Sequence, residues 1–267
     1  MIPTPPIPIQ SPAPPWSSWE RWLQSPPGQY VLNWEQRCFD RIVDNVFGFH
    51  ALQVGLPQLN ALRENRMPLQ VLLLHANDNV EVGANPLWHF INGEATELPF
   101  ASESIDLIVL PHVLEFAADP HQILREVDRV LRPEGRLVIS GFNPASLWGA
   151  RQYISRLIGT PYLPRDGQFI GLIRIKDWLQ LLNFSLDRGH FGCYKLPLQG
   201  HGIARMDFLE SMGNRWWPIF GAVFIVSAIK RHQGIRLIGQ VQTSLIPSIA
   251  PLSPAAERGN LNKDPLQ

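Results

Sequence analysis

Cysteine is scarce in this chain: Cys38 and Cys193 are the only two among 267 residues. A pair so far apart in a chain this long makes no disulfide framework of the secreted kind, so a reducing, cytoplasmic setting is expected. An excess of one charge is lacking as well. Lys plus Arg number 23 and Asp plus Glu number 23, giving a formal net charge of zero, and such a balance creates no field that would recruit a nucleic acid. Long hydrophobic runs are also missing. The longest, Ile219 to Ile229, falls well short of the ~20 residues that cross a bilayer as a helix, so no transmembrane span is expected. The opening MIPTPPIPIQSPAPP has no basic n-region, and its prolines interrupt every apolar stretch, so no signal peptide is expected.

Proline is present in excess. The chain has 25, gathered in residues 1–15 and from Thr243 to Pro265. The composition predicts a disordered leader over 1–15, one domain over 16–240 and a disordered tail over 241–267. Within the domain, strand-like apolar runs alternate with helical stripes, the pattern of βα units around a parallel sheet.

Trp34 to Val46 reads as a helix with Gly48 as its left-handed C-terminal stop. Strands follow at His50–Val54, Val71–Leu74, Trp88–Asn92, Ile105–Leu110 and Arg136–Ser140, with a short helix predicted over Gln58–Arg66 between the first two. A short Asn/Asp/Gly/Pro-rich connection joins the second strand to the third. Asp119, Pro120 and Gln122 form an N-cap, first helical position and capping-box partner for the helix after the fourth strand. Trp178, Leu179, Leu181 and Leu182 suit a further packed helix. Ser185–Leu196 and Gly221–Lys230 are expected to pair antiparallel at one edge, and Lys230-Arg231-His232 to be a solvated strand end.

In an open parallel sheet, ligands bind beyond the carboxyl ends of the strands. The first such loop here is Gly55-Leu-Pro-Gln-Leu59, where a lone glycine is a weak signal. The run from Gly93-Glu-Ala-Thr-Glu-Leu-Pro-Phe100 through Leu110-Pro-His-Val-Leu-Glu115 to Val130-Leu-Arg-Pro-Glu-Gly-Arg-Leu-Val-Ile139 is far more specific. Its order and spacing resemble the class I S-adenosylmethionine (SAM) dependent methyltransferase family, of the type that modifies small molecules. The resemblance is specific over 88–142 and compatible over 30–230. It implies an α/β, Rossmann-like fold with a mostly parallel seven-stranded sheet and an antiparallel edge pair, SAM as cofactor, and a small-molecule methyl acceptor as partner.

Carried over by position, the resemblance implies that Glu94 accepts a hydrogen bond from the adenine amino group and that Ala95 offers its backbone N–H to the ring. Leu98 would pack near the base, and Leu110, Pro111 and His112 along the methionine portion of SAM. Gly55 would carry the turn beneath the cofactor. Gln53 stands where the family usually has an acid, so it brings no charge to the cofactor's ammonium. Pro57 and Leu59 replace two glycines of the family's loop, removing one N–H donor and bringing in a side chain expected to intrude. The second strand ends Leu74-His-Ala-Asn-Asp78, and Asn77 or Asp78 is expected to serve where the family binds the ribose hydroxyls.

Other readings stand beside these. Glu94 is either that ligand or a solvated loop carboxylate, and His112 is either a general base or a structural hydrogen-bonder. Trp216-Trp217 and the leader tryptophans Trp16, Trp19 and Trp22 are expected to pack against the domain, with a substrate lid or a membrane-facing patch as alternatives. Two functions remain: an active methyltransferase, or a cofactor-free methyltransferase fold serving as a scaffold. A nicotinamide-dependent dehydrogenase lacks its glycine-rich phosphate turn.

Overall fold

A computed structural model describes residues 16–75, 88–158, 163, 167–196, 210, 213, 215 and 217–231. The expected leader, the expected tail, the connection holding Asn77 and Asp78, and Trp216 and His232 lie outside the described residues. Continuous apolar runs form β1 (His50–Val54), β2 (Leu69–Leu74), β3 (Trp88–Asn92), β4 (Ile105–Pro111) and β5 (Leu131–Phe142), followed by β6 (Phe184–Gly192) and β7 (Val223–Lys230). They make one seven-stranded sheet in the order β3-β2-β1-β4-β5-β7-β6. The first five are parallel neighbours, while β7 runs antiparallel to both β5 and β6. The α/β sheet with its antiparallel edge pair is therefore as the sequence implied.

Both faces of the sheet are covered, so β1 and β4 read as unbroken apolar runs. Leu107 and Val109 of β4 face the layer made by α1 (Trp16–Leu23) and α2 (Pro26–Val43). Ile108 and Leu110 face the opposite layer, where α4 (Pro120–Val130) contributes Ile123, Leu124, Val127 and Val130. The α4 start follows its sequence signal: Asp119 accepts from Gln122 N at 3.1 Å, with Pro120 in the first turn. Further along are α3 (Val113–Phe116), α5 (Leu147–Ile158), α6 (Leu172–Leu181) and a 3-10 turn at Pro218–Phe220.

Three local expectations fail. Residues 58–66 form successive turns and no helix. Leu59, Ala61 and Leu62 are all drawn into the core, and the side chain of Gln53 occupies backbone groups of this segment that a helix would have paired. Gly48 does not end α2, which stops at Val43 with Asp44 in a right-handed conformation. Gly48 instead makes room for Asp106: an added Cβ would lie 2.5 Å from the Asp106 Cβ. That carboxylate accepts from the N–H groups of Phe49 and His50 at 2.8 and 3.0 Å. In α6, Ile175 and Leu179 carry the packing, and Leu181 points to solvent. At the end of β7, Arg231 is exposed as expected while pairing with Glu134 at 2.7 Å, whereas Lys230 is largely covered and pairs with Asp128 at 3.2 Å.

Candidate functional site

Beyond the carboxyl ends of β1, β2, β3 and β4 lies a cavity of 440 Å³, within the ~300–1,000 Å³ usual for ligand sites. Its β1 side is the loop that begins at Gly55. Gly55 adopts φ +68°, where a side chain would be strained, and its N–H donates to Leu73 O at 2.8 Å. Leu56 follows at φ 49°. Gln53 holds this turn from below. Its amide nitrogen lies 3.1, 3.1 and 2.7 Å from the carbonyls of Gly55, Leu56 and Leu59, and its Oε1 accepts from Ala61 N at 3.0 Å. A fully buried amide saturated by backbone in this way does not reach the cavity, which corrects the placement of Gln53 among ligand-contacting residues.

Leu59 also departs from expectation. Its side chain is buried in the core under α2 and stays out of the cavity, while Pro57 does line it. The loop therefore lacks an N–H donor at Pro57, while Leu59 takes no space from the cavity.

On the opposite side, Gly93, Glu94, Ala95 and Thr96 line the cavity. This segment is clamped from α4. Glu126 accepts from Leu98 N at 3.0 Å, and Arg129 donates to the carbonyls of Leu98 and Phe100 at 2.9 Å each. Arg129 in turn holds Glu126 at 2.8 Å, which keeps the Glu126 carboxyl below the usual carboxylate range. The Leu-Pro-Phe run thus has a structural duty: Leu98 is a core residue beneath the loop and does not line the cavity. Glu94 stays 57% exposed and pairs with His75 Nδ1 at 3.0 Å.

The cavity floor holds a buried cluster. His112 sits at φ 53°, its Nδ1 2.6 Å from Glu115 Oε2 and its Nε2 3.0 Å from Glu35 Oε1. The Glu115 contact is a hydrogen bond; the Glu35 oxygen lies off the line of the ring N–H and acts as an ion pair. All three side chains are buried. Burial alone would favour a neutral imidazole, but the two carboxylates outweigh it and push His112 up to about 10. Burial raises Glu115 despite the imidazolium and the Phe142 N–H that it accepts. Both ring nitrogens of His112 therefore face carboxylates of the protein itself.

Trp19 of α1 packs on His112 and Phe116 with ring centroids at 5.0 and 5.1 Å and lines the cavity with them. Of the residues expected at the site, Gly55, Glu94, Ala95, Pro111 and His112 line one cavity. Gln53, Leu98 and Leu110 lie behind it, with Leu110 fully buried against the α4 layer.

Comparison with known proteins agrees with this fold. The methyltransferase-domain family profile matches residues 69–139. The uncharacterized protein YafS of Escherichia coli K12 is 32% identical over 229 residues, 85% of this chain and 88% of that one. A SAM-dependent methyltransferase of Thermotoga maritima superposes with a TM-score of 0.58 at 15% identity, covering 81% of this chain and 96% of its own. One from Mesorhizobium loti gives 0.51 at 15% identity, over 72% and 96%. The chain belongs to the class I SAM-dependent methyltransferase family.

Two residues of this methyltransferase's cavity region, His75 and Glu35, escaped the sequence reading, while Trp19, expected to pack against the domain, does so and also lines the cavity. His75 follows β2 directly, at the strand end where a ligand contact was sought two residues later. Trp19 shares a three-residue spacing with Trp16 and Trp22 that marks one helical face. Glu35 lies on the stripe of Val31, Cys38 and Ile42, so an acid on the apolar face of α2 was the available signal for a buried partner.

Proposed function

We propose that the cavity binds SAM and that the chain is an active methyltransferase for a small-molecule acceptor. One observation carries this reading: Gly55 after β1 and Glu94-Ala95 after β3, distant in sequence, converge on a single cofactor-sized cavity. Bound SAM would supply an electrophilic methyl group on a sulfonium. Glu94 would accept from the adenine amino group and Ala95 would offer its N–H to the ring. The open side of Gly55, whose nearest neighbour to an added Cβ is 3.7 Å away at Val113, admits the cofactor backbone. Pro111 and His112 would lie along the methionine portion.

The acceptor side draws on alignment and dryness. His112 is committed to Glu35 and Glu115, so the rate comes from holding nucleophile and methyl in line, which proximity and orientation can supply without a dedicated base. Trp19, Phe116 and Val113 exclude water from that end.

A cofactor-free scaffold is the second reading, and Pro57 favours it, because it faces the cavity with no N–H where the family has glycine. A thermal titration separates the two. A ligand at ~100 times its Kd stabilises the folded state by ~2.7 kcal/mol, and ~2–4 °C per kcal/mol for a chain of this size gives a rise of ~5–10 °C. SAM and S-adenosylhomocysteine are both expected to produce it. No shift and no calorimetric heat with either at millimolar concentration would leave the scaffold reading in its place.

A further inference from the structure

α2 buries an acid. Glu35 lies on the inward stripe of the helix with Val31, Cys38 and Phe39, and none of it is exposed. Neither of its carboxyl oxygens has a hydrogen-bond partner among the described residues. A carboxylate taken out of water without donors costs stability, and groups so placed gather at functional sites.

Glu35 Oε1 lies 3.0 Å from His112 Nε2, and on the other side of the ring Glu115 Oε2 lies 2.6 Å from Nδ1. Glu115 uses its other oxygen to accept from the N–H of Phe142. Two carboxylates around one imidazolium sum to one uncompensated negative charge. The cluster is walled by aromatic rings: Trp19 and Phe142 pack on the imidazole with centroids at 5.0 and 4.6 Å. A charge enclosed in this way is felt further than one in water, and His112 carries the cluster to the cavity wall. Two thiols also feel the charge of Glu35, Cys38 one turn along α2 and Cys193 just beyond β6. Burial raises both, so they stay neutral and cancel none of it.

We propose that this excess negative charge, set by Glu35, makes the cavity prefer the cationic sulfonium of SAM to the neutral thioether of S-adenosylhomocysteine. The proposal rests on the reading of the cavity as a SAM site with the methionine portion along His112. The two ligands share adenosine, ammonium and carboxylate, and they differ by one methyl group and one positive charge. Glu94, Ala95 and Gly55 would hold both alike, whereas a charge beside the sulfonium separates them. Methyl transfer removes the cation, so the attraction present before the reaction is gone after it. Glu35 therefore acts on exchange, favouring departure of the demethylated cofactor, and leaves alignment of the reacting atoms to the rest of the site.

Calorimetric titration of the full chain with each ligand, compared as the ratio of the two dissociation constants, tests the proposal. The parent should bind SAM more tightly than S-adenosylhomocysteine near neutral pH. Glu35→Gln, close in shape and uncharged, should shrink that preference about tenfold, the scale of one unit charge acting through a protein interior. A role confined to packing would move both affinities together. The parent also gives a readout that needs no variant. The carboxylates hold His112 up to about 10, so it stays charged between about pH 5 and 8, while burial raises Glu115. Protonation of a carboxyl in acid should cancel the excess charge, and the preference for SAM should fall from about pH 8 to about pH 5. His75 and Glu94, paired at the rim, face the adenosine portion common to both ligands and drop out of the ratio.

Equal preference in parent and variant, or a parent ratio that stays constant over that pH range, would overturn the proposal and leave the SAM site in place. Binding of neither ligand would remove that site and the proposal with it. If Glu35→Gln does not fold, the pH series of the parent decides.

Discussion

Replacing His112 with leucine leaves the carboxyl groups of Glu35 and Glu115 buried with no imidazolium between them. Removing one partner of a buried ion pair costs about 3–5 kcal/mol, because the remaining charge keeps its desolvation penalty. At ~2–4 °C per kcal/mol the variant should melt ~6–20 °C below the parent near neutral pH. The pH dependence is the sharper test. In the parent, His112 is raised from its ordinary 6.5 to about 10, so its stabilisation is fully present below about pH 6.5 and is lost as pH rises through about 10. In the variant, the Glu115 carboxyl, already raised by burial, loses the imidazolium that lowers it and is expected to recover stability in acid by protonating. The gap between the two melting midpoints should therefore peak near neutrality and narrow in both directions. Calorimetric melts at about pH 5, 6.5 and 10 measure it. A gap that is absent at 6.5, or equal at all three values, would refute the assignment of a charged imidazole between two carboxylates.

Glu94→Ala should weaken SAM binding in a calorimetric titration toward the lower end of the ~1.5–3 kcal/mol range for a hydrogen bond to a charged group, since Glu94 is more than half exposed. Unchanged affinity would remove it from the site. Gln53→Leu should lower stability by roughly 3 kcal/mol or more, because several buried backbone groups lose their partner together; an undisturbed denaturation midpoint would contradict its role as the support of the loop. Gly55→Ala meets no protein clash but places a Cβ at φ +68°, so a loss of ~1–2 kcal/mol in stability is expected, together with weaker SAM binding in a calorimetric titration, because the Cβ enters the open side proposed to admit the cofactor. Trp19→Ala should reduce stability by about 3–5 kcal/mol, and a tryptophan-to-alanine melt indistinguishable from the parent would mean that α1 does not close the cavity.

The Glu94-Ala-Thr-Glu-Leu-Pro-Phe100 loop and the strand that follows it were legible because their residue types answer local demands. Leu98 must fill core, Asp119 must cap α4, and β4 must be apolar on both faces, so order and spacing survive in the chain itself. The 58–66 segment was misread for the same reason. Its leucines have helical spacing, but the loop takes its shape from Gln53, whose amide reaches forward across the turn.

The sequence by itself determined the alternation of strands and helices, the parallel sheet with its antiparallel edge, and the loops in which Gly55, Glu94 and Ala95 would be found. Periodicity and capping are local, and local chemistry can be read along the chain. Only the tertiary structure decided that Leu59 turns away from the cavity and that Glu35 on α2 meets His112 after β4. Each of these depends on which surfaces are buried against one another. A carboxylate on an apolar stripe or a leucine in a loop does not reveal its partner until distant segments of the chain have packed.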